Sequence, residues 1–137
     1  MYLFDTNVIS SLRRLRQLDD RVAATIEAVP ITSAYVSVIT LMELEIGVLS
    51  MERRDPSQGD MLRHWLRSLR MEIDADHILP VSEQIAYRCA SLHVPDRRPQ
   101  NDSLIAATAL VHHLTLVTRN VSDFQGIDGL QLLNPWA

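Results

Sequence analysis

The chain has 137 residues, 47% apolar and 22% charged, with a formal net charge of −4; this is the make-up of an ordinary globular protein, expected to fold as one domain over residues 1–137. No apolar run approaches the roughly 20 residues of a membrane span, and Met1–Asp5 carries no basic leader, so neither a membrane nor a secretory route is expected. All 13 cations are arginine and there are four glycines, which excludes the lysine-bearing phosphate loop and the G-x-G-x-x-G dinucleotide fingerprint.

In chain order, Tyr2–Phe4 reads as a short buried strand, followed by a helix through about Leu15 that Thr6 or Asn7 would cap. Asp19 and Asp20 open a second helix, with Val22, Ile26 and Val29 on one face and Pro30 beyond its end. The β-branched run Ala34–Val38 predicts a strand, and a helix follows from Ile39 to about Met51. Asp55-Pro56-Ser57-Gln58-Gly59 carries loop signals. Leu62, Trp65, Leu66, Leu69 and Ile73 then recur at helical spacing, which leaves Arg63, Arg67 and Arg70 on the solvated side. His77–Val81 predicts a strand, Glu83–His93 a helix, and Pro95–Pro99 a connection. A helix over Ser103–His113, a strand over Leu114–Val117 and a last strand over Leu130–Leu133 complete the chain. Strands alternating with helices imply an α/β fold around a central, mostly parallel sheet. In such sheets sites gather beyond the carboxyl ends of the strands.

Four acids stand at or near those junctions: Asp5, Glu43, Asp102 and Asp123. Each has an ordinary explanation when taken alone. Asp5 can cap a helix; Thr40-x-x-Glu43 reads as a capping box; Asp102 competes with Asn101 as a helix cap; Asp123 lies in a polar turn. Glu43 nevertheless shares a helix face with Ile39, Ile46 and Gly47, and so is expected on the core side. Glu45 is the glutamate expected in solvent. Two carboxylates about 4 Å apart repel by roughly 4 kcal/mol at an effective dielectric near 20. Convergence of four would therefore call for a hard divalent cation with oxygen ligands, Mg²⁺ or Mn²⁺. The five histidines form no zinc pattern; His64, His77 and His93 read as structural, and His112 and His113 end a helix. The single Cys89 reads as a packing residue and suits a reducing cytoplasm.

At these same residues the chain resembles the PIN-domain ribonucleases, in particular the VapC/FitB-like toxin branch. The matching stretches are Leu3-Phe4-Asp5-Thr6-Asn7-Val8-Ile9-Ser10, Thr40-x-x-Glu43-Leu44-x-x-Gly47, Asn101-Asp102-x-x-Ile105-Ala106-Ala107-Thr108-Ala109, Leu116-Val117-Thr118-Arg119-Asn120-x-x-Asp123-Phe124 and the closing Leu133-Asn134-Pro135-Trp136. The resemblance implies a three-layer α/β/α fold. It implies Asp5, Glu43, Asp102 and Asp123 as the catalytic acids binding Mg²⁺ or Mn²⁺, with Thr6, Asn7, Thr118 and Asn120 in support. It further implies an endoribonuclease that is a homodimer, is held by a cognate antitoxin and meets operator DNA only through that complex. Ser11 stands where the family often has glutamate, and Asn120 where some relatives carry an acid, so the fourth ligand stays open between Asp123 and Asn120. Arg13, Arg14, Arg97, Arg98 and Arg119 are candidates to hold the RNA backbone.

Two other readings are compatible with parts of this pattern. A phosphohydrolase of the haloacid-dehalogenase kind would want a second aspartate two residues after Asp5, where Asn7 stands. A non-catalytic PIN scaffold would bind a partner protein or RNA without needing all four acids. Neither the RNA cleaved, nor one metal against two, nor the antitoxin's identity is legible in the residues.

Overall fold

A computed structural model describes residues 1–137. Strand β1 (Tyr2–Phe4) is central, because its residues alternate between two buried faces. Leu3 points into one cluster with Leu116, Ile105 and Ala109, and Phe4 into the other with Val8, Val36 and Val117. β1 pairs in parallel with β4 (Thr115–Val117), and β4 with β5 (Leu132–Leu133). On the other side β2 (Val36–Ser37) pairs in parallel with β3 (Ile78–Leu79). The Leu3–Tyr35 bridge joins the two pieces, with Phe4 N–H donating to Tyr35 O and Tyr35 N–H to Tyr2 O.

The sheet is covered on both faces, as parallel sheets are. One side carries α1 (Thr6–Ser11), α2 (Asp20–Glu27), α3 (Val38–Arg54) and α4 (Pro56–Glu72). The other carries α6 (Gln100–His112), on whose outer side α5 (Glu83–Leu92) packs through Ile85 and Cys89. This is the three-layer α/β/α arrangement.

Several boundaries differ from expectation, each for a local reason. Helix α1 is capped by Asp5, not by Thr6 or Asn7, and ends at Ser11, whose hydroxyl donates back to Val8 O at 2.6 Å. Residues Leu12–Gln17 continue as a 3₁₀ segment. Helix α3 starts at Val38 because Ser37, still extended at the end of β2, accepts from Ile39 N–H; the Thr40–Glu43 capping box does not form. The expected loop at 55–59 is the start of α4, with Asp55 as cap and Pro56 at the first helical position. A Cβ on Gly59 would lie 2.4 Å from Glu52 Cα, so this glycine lets α4 press against α3. Arg63 is no free solvated cation: its guanidinium grips Glu45 at 2.5 and 2.7 Å and reaches Glu52 at 3.1 Å. Glu45 is thereby tied down, and that contact holds its carboxyl below the usual range. His77 stacks on Tyr35 and His93 Nδ1 accepts from Arg98 N–H, both structural roles. No helix is long and apolar enough to cross a membrane.

Candidate functional site

Asp5 follows β1 directly and is 4% exposed. One carboxylate oxygen accepts from Thr6 N–H at 2.8 Å; the other accepts from the Thr118 hydroxyl at 2.7 Å and from Asn7 Nδ2 at 3.2 Å. The capping role and the site role thus use different oxygens. Burial pushes the Asp5 carboxyl up and the Glu43 charge adds to that, against hydrogen bonds from Thr118, Thr6 N–H and Asn7. Thr118 follows β4, the parallel neighbour of β1, so strand register alone brings together two side chains 113 residues apart. Thr118 also accepts from Asn120 N–H, and Asn7 Oδ1 accepts from Arg119 N–H.

Glu43 lies in the second turn of α3, half-buried, its Oε1 receiving the Thr6 hydroxyl at 2.6 Å and its Oε2 facing Asn101 Nδ2 at 3.4 Å. The face expected to be core is not: Ile46 and Gly47 are exposed. Thr40 and Asn101, expected only as helix caps, belong to the network instead. Thr40 Oγ1 is fully buried 3.1 Å from the Thr6 hydroxyl. Its signal in the sequence was the same T-x-x-E that reads as a cap.

Asp102 sits in the first turn of α6, where neither it nor Asn101 acts as cap; Pro99 occupies the cap position. Its carboxyl is pushed up to about 6, first by burial and then by the charges of Asp5, Asp123 and Glu43 in that order. That ordering brings all four acids into one electrostatic neighbourhood. Asp123 lies exposed in the 3₁₀ turn Val121–Phe124, its N–H bonded to Asn120 O. Glu43, Asn101 and Asp102 line an open hollow of about 370 Å³ with no apolar wall.

No arginine or histidine lies within ion-pair distance of any of the four acids; the ion pairs present are Arg63 with Glu45 and Glu52, and His64 with Asp60. An uncompensated group of oxygen donors is the surrounding a hard divalent cation fits in charge and chemistry. As the side chains lie, however, no three of them converge at one point. Asp102 feels the charges of Asp5, Asp123 and Glu43, and Asp5 feels that of Glu43. Among the arginines, only Arg119 is joined to the site directly, through Asn7. Arg13 lies over Trp65 of α4, and Arg98 donates to Gln125 O just beyond the Asp123 turn. Arg14 and Arg97 are exposed and make no side-chain hydrogen bond or ion pair.

The model of the PIN domain matches residues 2–130. The chain is 33% identical over 141 residues to Toxin FitB of Neisseria gonorrhoeae, covering 99% of both chains. It is also 33% identical over 144 residues to the VapC ribonuclease Y4jK of Sinorhizobium fredii, covering 99% and 98%. Among solved structures, FitAcB from Neisseria gonorrhoeae aligns with a TM-score of 0.86 at 33% identity over 99% of each chain. A toxin–antitoxin complex from Klebsiella pneumoniae aligns at 0.67 and 31% identity, over 98% of each.

Proposed function

The chain belongs to the PIN-domain family, in its VapC/FitB toxin branch, and on that premise we propose that it is the toxin ribonuclease of a toxin–antitoxin pair, a Mg²⁺- or Mn²⁺-dependent endoribonuclease acting in the cytoplasm. The observation that carries the reading is a set of four carboxylates without a cationic partner: Asp5 directly after β1, Glu43 in the second turn of α3, Asp102 in the first turn of α6 and Asp123 in the turn beyond β4.

Asp5 and Asp102 are the residues that would hold the ion, with Glu43 and either Asp123 or Asn120 completing its surroundings. A bound divalent ion supplies a water of lowered pKa and offsets charge on the leaving oxygen of a phosphodiester. The chain's own residues set the geometry. Thr118 and Asn7 fix the outer oxygen of Asp5, so the carboxylate does not turn into solvent. Thr6 holds one oxygen of Glu43 and Asn101 faces the other. The start of α6 opens onto the polar hollow, where its first N–H groups favour an anionic oxygen. Arg119, whose main-chain N–H bonds Asn7, is the arginine tied to the site through its backbone.

The Klebsiella pneumoniae complex supports a protein antitoxin as partner, with operator DNA met only through the pair. Met42, Ile46 and Leu49 form an exposed apolar strip on α3, 42–54% accessible, which supports a homodimer. Sedimentation of the purified protein tests that.

The nuclease reading is tested by incubating the protein with total RNA and Mn²⁺, mapping the new ends, and repeating with chelator and with Asp5→Asn. Cleavage lost in both controls is expected. Undiminished cleavage by Asp5→Asn would reject the assignment. Saturable Mn²⁺ binding by calorimetry separates it from a non-catalytic scaffold, which would show none.

A further inference from the structure

Arg119 stands at the edge of the acid cluster without bonding to it. Its N–H donates to Asn7 Oδ1 at 3.1 Å, and Asn7 Nδ2 donates to Asp5, so its main chain lies one side chain away from the central carboxylate. Its carbonyl accepts from Asn134 Nδ2 at 3.5 Å, and its guanidinium lies over the Trp136 ring, 5.2 Å from the centroid. Trp136 is itself fixed. Its N–H donates to Asn134 Oδ1 at 2.9 Å, and its ring packs against the core, while Thr118 N–H donates to Leu133 O at 3.0 Å. Arg119 is exposed and has no ion pair.

A long cationic arm whose main chain is one side chain away from Asp5 has a competing attraction toward the carboxylates, since charge-assisted bonds of that kind are the strong ones. A place over the indole gives the guanidinium another resting point, and its N–H donors, which make no ion pair, stay available for a planar, bidentate anion. We propose that Trp136 is a positioning residue: it holds Arg119 off the carboxylates and presents its guanidinium to a backbone phosphate of RNA entering the acidic centre. The inference rests on the nuclease reading above. It gives a cluster that would repel phosphate one fixed point of attraction, on the residue whose main chain Asn7 links to Asp5.

The test compares the wild type with Arg119→Ala, Trp136→Ala, Trp136→Phe and the double alanine variant, after melting curves establish that each is folded. A labelled single-stranded RNA is used in two arms: cleavage kinetics in Mn²⁺, and equilibrium binding in chelator over a range of salt. Loss of one charge-assisted phosphate contact should raise KM and Kd by about tenfold, with kcat falling far less. The salt slope of log K should drop by about 0.7 for one phosphate on a single strand. Trp136→Ala should reproduce part of the KM rise, Trp136→Phe should restore it, and the double variant should be no worse than Arg119→Ala. Additive losses, a fall in kcat at constant KM, or unchanged Kd in Arg119→Ala would overturn the inference. Wild-type protein that binds but does not cut would remove the nuclease reading while the binding arm still decides the roles of Arg119 and Trp136. Protein that does neither removes both.

Discussion

Replacing Asp102 by asparagine should make the metal-free protein more stable at neutral pH while destroying its catalytic centre. The Asp102 carboxyl is carried from its ordinary 3.8 to about 6 by burial and by Asp5, Asp123 and Glu43. Because its folded value is raised, the native state holds this proton more tightly than the unfolded chain does. Stability is therefore lost as pH rises through the window from about 4 to 6, and the loss is complete above it. At 1.36 kcal/mol per decade of acidity the full cost is about 3 kcal/mol. Asp102 is only part-buried, and solvent screening reduces that to about 1 kcal/mol, or roughly 3 °C in melting temperature for a chain of this size. The assay is thermal unfolding in chelator at pH 7.5 and pH 4, wild type against Asp102→Asn. The variant should melt higher at pH 7.5, and the gap should close at pH 4. Saturating Mn²⁺ should reverse the order, since a ligand at a hundred times its Kd adds about 2.7 kcal/mol to the protein that binds it. A variant less stable than wild type at pH 7.5, or a gap that widens in acid, would refute the argument that burial and the neighbouring acids together disfavour the Asp102 charge.

Three other changes separate chemistry from architecture. Asp5→Asn keeps an oxygen for Thr6 N–H and should leave melting within a few degrees while RNA cleavage falls by at least about a hundredfold; initial rates on a labelled RNA measure this. Thr118→Val removes the hydroxyl held 2.7 Å from Asp5 in a fully buried position, so it should lose about 1–2 kcal/mol in urea unfolding and weaken Mn²⁺ binding, whereas Thr118→Ser should retain both. Gly59→Ala would gain about 1 kcal/mol of helix propensity in isolation. With its Cβ 2.4 Å from Glu52 Cα, it should instead destabilise by about 2 kcal/mol, read from the urea midpoint, with α3 and α4 forced apart.

What was legible in the residues depended on how local its cause is. The β1 and β4 strands and the α4 stripe from Leu62 to Ile73 show in the pattern because burial imposes a period. The four acids stand out in the sequence because each lies at or near the junction of two elements. The start of α4 was illegible because Pro56 and Gly59 are read as breakers, although one is a first-turn proline and the other a contact point with Glu52. Thr40 and Asn101 read only as caps, since the partners that draw them into the network, Thr6 and Glu43, lie 34 and 58 residues away. Arg63 was misjudged for the same reason: its glutamates sit on the neighbouring helix. Nothing along a helix announces which solvent-side arginine will find a carboxylate across a groove.

The pairing of β1 with β4 sets an order of events during synthesis. Tyr2 to Phe4 leave the ribosome well before the strand that completes one of their edges, which lies at Thr115 to Val117. Until that distant segment arrives, Asp5 lacks the hydroxyl that steadies it and the middle of the sheet is open along one side. A nascent chain stalled or cut before residue 115 cannot assemble the pocket, so competence waits for the segment that carries β4 and Thr118.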